Sequence, residues 1–197
     1  MFIVLEGIDG AGKSTQCKLL YDYLTKKNEK VFLTKEPTYG IIGKFLRKVL
    51  EKKYELSNLS IQLLMMADRS EHVKEIKEKL KSGYWVLCDR YFFSTIAYGS
   101  VEDDKYYKEL LEINLKLFPL PDYLIFIKIK PEVSIERIKG KKRKLFEELE
   151  FLKKVEEKYE KILKERKIIK KVKMIIVNGE KNKEEVFEDI KSKISKW

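Results

Sequence analysis

The sequence predicts an α/β fold in which a five-stranded parallel sheet carries helices on both faces. Three observations predict it. Five short apolar runs, each of strand length, are spaced along the 197 residues. Between them lie stretches whose apolar residues recur at helical spacing. A glycine-rich turn joins the first run to the first helix. Strands alternating with helices give parallel pairing, with both faces of the sheet covered. No linker, repeat or low-complexity segment interrupts the pattern, so residues 1–197 are read as a single domain.

Each element has its own warrant. Phe2-Ile3-Val4-Leu5 is the first buried strand, and Gln16 to Leu24 the first helix. Lys30-Val31-Phe32-Leu33-Thr34 is the second strand, broken at Glu36-Pro37-Thr38-Tyr39-Gly40. A helix follows over Ile42 to Leu50. Ser57 then caps a long helix running towards Lys81. The middle of that helix, Ile61 to Ala67, is apolar nearly all round, which predicts burial on both sides, in the core or at a subunit contact. Ser82-Gly83 ends it. Tyr84-Trp85-Val86-Leu87-Cys88 is the third strand, delivering Asp89-Arg90-Tyr91 at its carboxyl end. Helical patterns continue through Phe118, and Tyr123 to Ile127 forms the fourth strand. Pro131 opens another helix, as proline does at a first turn. A charged amphipathic helix runs from about Glu147 to Lys167. Met174-Ile175-Ile176-Val177 is the fifth strand, and a last helix reaches Trp197.

Composition narrows the class. Lysine and arginine number 43 against 32 acidic residues, a formal charge of +11. That balance suits nucleic acid as a partner. Lysine is nevertheless spread along the whole chain among glutamates, with no basic tail, the pattern of solvated helix faces and a hyperthermophile habit. Nucleic acid is therefore not expected. No apolar run approaches the ~18 residues of a membrane span, and the first run is too short for a signal peptide. Cys17 and Cys88 have no metal-ligand spacing and read as buried thiols of a reducing compartment, so the expected location is cytoplasmic. Arginine occurs only at Arg47, Arg69, Arg90, Arg137, Arg143 and Arg166. A chain that uses lysine elsewhere keeps arginine where a planar, bidentate fork is needed.

The turn after the first strand reads Gly7-Ile8-Asp9-Gly10-Ala11-Gly12-Lys13-Ser14-Thr15. Gly-x-x-x-x-Gly-Lys-Ser between strand and helix is the phosphate-binding P-loop, and with it the predicted fold becomes the three-layer P-loop NTPase fold. Its glycines bring backbone N–H groups against phosphate oxygens, and the helix N-terminus adds partial positive charge. Lys13 reaches the β- and γ-phosphates of ATP, and Ser14 ligates Mg²⁺. Asp89, at a strand end beside this loop, either helps hold that Mg²⁺ or caps the next helix. Arg90 needs an anion to face. The P-loop has no basic side chain before Lys13, so an arginine must reach the transferring phosphate from elsewhere. Arg137, just before the basic segment Lys139 to Lys144, and Arg143, within it, are the nearest candidates. His72, the only histidine, reads as a surface residue. No histidine base is needed if the acceptor is a phosphate, already mostly dianionic at neutral pH.

Three blocks resemble the thymidylate kinase family. They are Phe2 to Gln16, Leu63 to Val73, and Asp89-Arg90-Tyr91-Phe92-Phe93-Ser94-Thr95-Ile96-Ala97-Tyr98. Weaker agreement extends through Glu36-Pro37, Arg47, Phe146-Glu147 and Phe151-Leu152. The resemblance implies transfer of the γ-phosphate of ATP to dTMP, giving dTDP. It implies that Asp9 holds the acceptor sugar and that Arg47 and Arg90 grip its 5′-phosphate, with Glu36 and Tyr39 nearby. Arg69 would bond the base edge, Ser94 or Thr95 line the base pocket, and Tyr98 crowd the ribose 2′ position. Asn178 would lie near adenine, residues 137–147 form a lid, and the chain form a homodimer. Three positions depart from the family: Met65 stands where an aromatic ring usually covers the base, Gly99 where glutamine is frequent, and Leu145 where arginine is frequent. Two alternatives follow, a monophosphate kinase of broader base choice accepting dUMP or other bases, and a nucleic-acid-associated P-loop ATPase.

Overall fold

The computed structural model of the chain describes residues 1–139 and 148–194. The predicted lid therefore lies largely outside the described residues, and Arg143 with it. Five strands, β1 (Phe2–Glu6), β2 (Val31–Lys35), β3 (Trp85–Asp89), β4 (Tyr123–Lys128) and β5 (Lys173–Asn178), form one sheet in the order β2-β3-β1-β4-β5. Every pairing is parallel, with Leu5 opposite both Asp89 and Ile125. All of β1 and the first five residues of β4 are buried, so side chains pointing both ways find cover, as the apolar runs require.

The helices are α1 (Lys13–Lys26), α2 (Ile41–Leu50), α3 (Asn58–Lys81), α4 (Phe92–Gly99), α5 (Lys105–Leu117), α6 (Pro131–Ile138), α7 (Leu149–Ile162), α8 (Arg166–Ile169) and α9 (Lys183–Lys193). Two expectations about their ends hold. The Ser57 hydroxyl accepts from the Ser60 N–H at 3.2 Å, and Pro131 opens α6. A capping box at Asn182 and Glu185 starts α9.

One expectation needs correction and one is narrowed. The charged helix ends at Ile162, and a turn separates it from the four residues of α8, because Ile168 and Val172 must come round to the core ahead of β5. The apolar middle of α3 is buried in the chain on one side only, which leaves the subunit contact as the remaining cover for its other side. Ile61, Gln62 and Met66 are inside, whereas Leu63 is 54% exposed. Cys17 and Cys88 are buried free thiols, as read from the sequence.

Candidate active site

The P-loop occupies the carboxyl end of the central strand β1, where a parallel sheet gathers its ligands. Gly7 comes so close to β4 that a Cβ there would lie 2.5 Å from the Ile127 carbonyl oxygen. Gly12 takes a left-handed φ of 95° and caps α1 without any side-chain hydrogen bond, so no side chain competes for the first-turn N–H groups. Lys13 is buried, its Nζ donating to the Ile8 carbonyl at 2.8 Å. Burial, and next the Arg90 charge, push its pKa down to about 8. Asp9, Asp89 and Glu6 only partly offset this, and an incoming polyphosphate would favour the ammonium further.

The Ser14 hydroxyl donates to Asp89 Oδ2 at the end of β3. Asp89 does not cap a helix, since the residue at the N-cap of α4 is Tyr91. A hydroxyl and a carboxylate, both hard oxygens, fit Mg²⁺, which takes its other ligands from phosphate and water.

Arg90 sits at the centre of the site with a left-handed φ of 72°, costing roughly 1–2 kcal/mol for a residue with a Cβ. Its Nη2 contacts Asp9 Oδ1 at 2.7 Å, and its Nη1 donates to Ser94 Oγ at 3.0 Å. Burial opposes its charge, but Asp9, Tyr98, Tyr159 and Glu6 more than offset that and raise its pKa. Glu6 is the hidden member. Fully buried, it accepts from the Tyr91 and Ser94 N–H groups, the Ser94 hydroxyl and the Tyr159 hydroxyl. Burial raises its pKa against the pull of Arg90.

Farther along, side chains from four segments close the other end. Arg69 of α3 donates from Nε to Glu36 at 2.8 Å, from Nη1 to Asn114 of α5 at 2.9 Å and from Nη2 to Thr95 of α4 at 3.0 Å. The other Glu36 oxygen faces His72 Nδ1 at 3.0 Å, while His72 Nε2 faces Thr34 Oγ1 at 2.7 Å. His72 is thus buried, not on the surface, because its face of α3 is turned against β2. Asp68 accepts from the Thr38 N–H and hydroxyl at 2.7 and 2.6 Å. Arg47 of α2 donates to the Pro37 and Thr38 carbonyls, so Asp68 steadies the turn on which Arg47 rests.

One cavity of about 670 Å³ runs the whole distance. It is lined by Asp9 and Gly10 to Gln16 at one end, Asp89, Arg90 and Ser94 in the middle, and Arg47, Met65, Arg69, Thr95 and Tyr98 at the other. Several predicted residues lie elsewhere. Gly7 shapes the loop from behind the wall. Asn178 turns its amide oxygen to the Glu180 N–H and does not line the cavity; Gly179, Lys181, Lys183 and Val186 occupy that corner. Tyr39 lines a neighbouring cavity with Lys35 and His72, its ring 4.5 Å from the Arg47 guanidinium. Arg137 of α6 does line the cavity, donating to the Gly10 and Gly179 carbonyls at 3.3 and 2.8 Å. Glu6, Asp68, Gln62 and Asn114 were not picked out from the sequence. Only Glu6 leaves a signal there, as a carboxylate directly after a fully apolar strand.

A family model described as Thymidylate kinase matches residues 5–190. A Methanocaldococcus jannaschii protein named "Probable thymidylate kinase" is 41% identical over 96% of this chain and 93% of its own. The thymidylate kinase of Caldicellulosiruptor saccharolyticus is 36% identical, covering 98% and 95%. The solved structure of thymidylate kinase from Candida albicans superposes with a TM-score of 0.79 at 29% identity, covering 97% of this chain and 89% of that one.

Proposed function

The chain belongs to the thymidylate kinase family, and from that premise we propose that its cavity holds ATP and dTMP end to end while a phosphoryl group passes between them. Membership favours transfer of the γ-phosphate of ATP to dTMP, giving dTDP, over both alternatives raised from the sequence. The observation that carries the reading is the continuity of the cavity. A phosphate-binding loop opens one end, an apolar and arginine-lined pocket closes the other, and Arg90 lies between.

In this reading the P-loop N–H groups and Lys13 hold the β- and γ-phosphates. Ser14 and Asp89 would hold Mg²⁺, which supplies charge neutralisation for the phosphates when bound. Arg47 and Arg90 grip the acceptor 5′-phosphate, and Asp9 receives the sugar hydroxyl. Arg69, with Glu36 behind it, faces the base beside Ser94, Thr95 and Met65, and Tyr98 blocks a ribose 2′-hydroxyl. Catalysis is positioning plus electrostatic stabilisation, since the acceptor phosphate is itself the nucleophile. Arg137, which also supports the loop that carries the donor phosphates, and Arg143 of the lid are the two arginines available to complete the charge.

Assembly and location extend the proposal. Leu59 and Leu63, one turn apart on α3, are 37% and 54% exposed, and Ile113 and Leu117 on α5 are 41% and 54% exposed. These apolar side chains suit the homodimer. Two buried free thiols suit a reducing cytoplasm. Among the described residues no helix is long and apolar enough to cross a membrane.

An ADP-release assay over a panel of ribo- and deoxynucleoside monophosphates tests the function. Turnover is expected to be greatest with dTMP and to fall sharply with its ribo counterpart. ATP turnover stimulated by DNA or RNA, and by no monophosphate, would overturn it.

A further inference from the structure

We propose that Gln62 of α3 reads the acceptor base, selecting a pyrimidine that carries an imide N–H, thymine or uracil, against cytosine. This rests on the reading of the cavity as a pyrimidine monophosphate site. Gln62 is 3% exposed and lines the cavity. It shares one face of α3 with Met65 and Arg69, at positions i, i+3 and i+7. Its place depends on Gly99. A Cβ on Gly99 would lie 2.8 Å from Gln62 Cγ and 2.6 Å from Leu110 Cδ1, so only a residue without a side chain lets the glutamine seat there.

A short relay fixes which way round the amide lies. The Tyr98 carbonyl can only accept, so Asn58 turns its Nδ2 to it, at 2.9 Å. That leaves Asn58 Oδ1 to accept from Gln62 Nε2, also at 2.9 Å. Gln62 Oε1 is then the uncommitted end of the amide, accepting no hydrogen bond from any described residue. Gln62 lines the cavity, so a ligand N–H seated there would give this oxygen the donor that no described residue supplies.

Its neighbour on the same face complements it. Arg69 Nη1 gives one N–H to Asn114 and keeps a second. A spare donor and a fixed acceptor on one face of the same cavity suit the imide edge, which offers a carbonyl oxygen next to an N–H. Cytosine reverses both, setting an amine against the arginine and a lone pair against Gln62 Oε1. The relay prevents the amide from turning to suit it. A pocket built to bond one edge rejects the other because its own polar groups stay unpaired.

The test is the ratio of kcat/KM for dTMP over dCMP in the unchanged protein and in Gln62→Met, which keeps volume and removes both polar atoms. Loss of one hydrogen bond predicts a fall in that ratio of about tenfold, with KM for ATP unchanged. A purely structural role would lower both substrates together. Gly99→Ala, which keeps the amide but displaces it, is expected to lower the ratio in the same direction, and it decides the matter if Gln62→Met does not fold. An unchanged ratio in a folded variant overturns the assignment of Gln62. A protein that in its unchanged form does not prefer dTMP to dCMP overturns the reading of the cavity itself.

Discussion

The two ends of the cavity are made in opposite ways. At the donor end the groups that cradle the phosphates belong to one run of chain, and the Lys13 ammonium reaches back only five residues, to Ile8. At the acceptor end they are side chains drawn from a turn and three helices, with Arg69 and Asn114 45 residues apart. The first kind of site is backbone held in place by glycine conformations. The second exists only once the whole domain has folded. The donor end should therefore lose activity without losing stability, and the acceptor end should lose stability before anything else.

Glu36→Gln applies the largest stress to that contrast. It leaves Arg69, 1% exposed at its side chain, without the carboxylate 2.7–2.8 Å away. Breaking a buried pair from one side costs about 3–5 kcal/mol, readable as a lowered urea midpoint. An unchanged midpoint would mean the acceptor end is not held by this network. Lys13→Ala is expected to lower kcat by roughly 10²–10³, the scale of one lost transition-state donor. Its melting temperature at pH 7 should not fall. The Lys13 ammonium has a folded pKa depressed to about 8, so below that pH its charge costs stability, a cost relieved as pH rises towards its unfolded value. A large loss of stability in Lys13→Ala would erase the distinction between the two ends.

The smallest effect is a proton. Triphosphate binding favours the Lys13 ammonium, so calorimetry in buffers of different ionisation enthalpy should show proton uptake with ATP near pH 8. The uptake should fade by pH 6, where the group is already charged, and ATP affinity should weaken as pH rises above 8. Uptake that survives in Lys13→Ala would assign the proton to another group.

The same contrast decides what can be read from the sequence. The five strands, the P-loop, the Ser57 cap and the strand-end position of Asp89 are local, and each follows from spacing and turn chemistry. His72 was misread because a histidine among charged residues looks solvated in a linear chain. Its periodicity says otherwise: Arg69, His72, Val73 and Ile76 stand at i, i+3, i+4 and i+7, one inward face of α3. Polar residues on a buried stripe point to an internal network, although spacing does not name their partners. The partner of Asp68, Thr38, belongs to tertiary packing, whereas Asn58 is the i, i+4 neighbour of Gln62 on α3. Asn178 shows the complementary error, a residue beside the right corner whose side chain is used by its own turn.

The central position of β1 also governs how the domain comes into being. Residues made earlier pair with residues made much later, Phe2 with Val86 and Ile3 with Tyr123. During synthesis the first strand therefore emerges with both edges bare, and its second neighbour is absent until well past the middle of the chain. Closing such distant pairs costs loop entropy before any contact repays it, which slows folding. The segment that ends as the best-protected part of the enzyme is, for most of its translation, the one most in need of shelter from other chains.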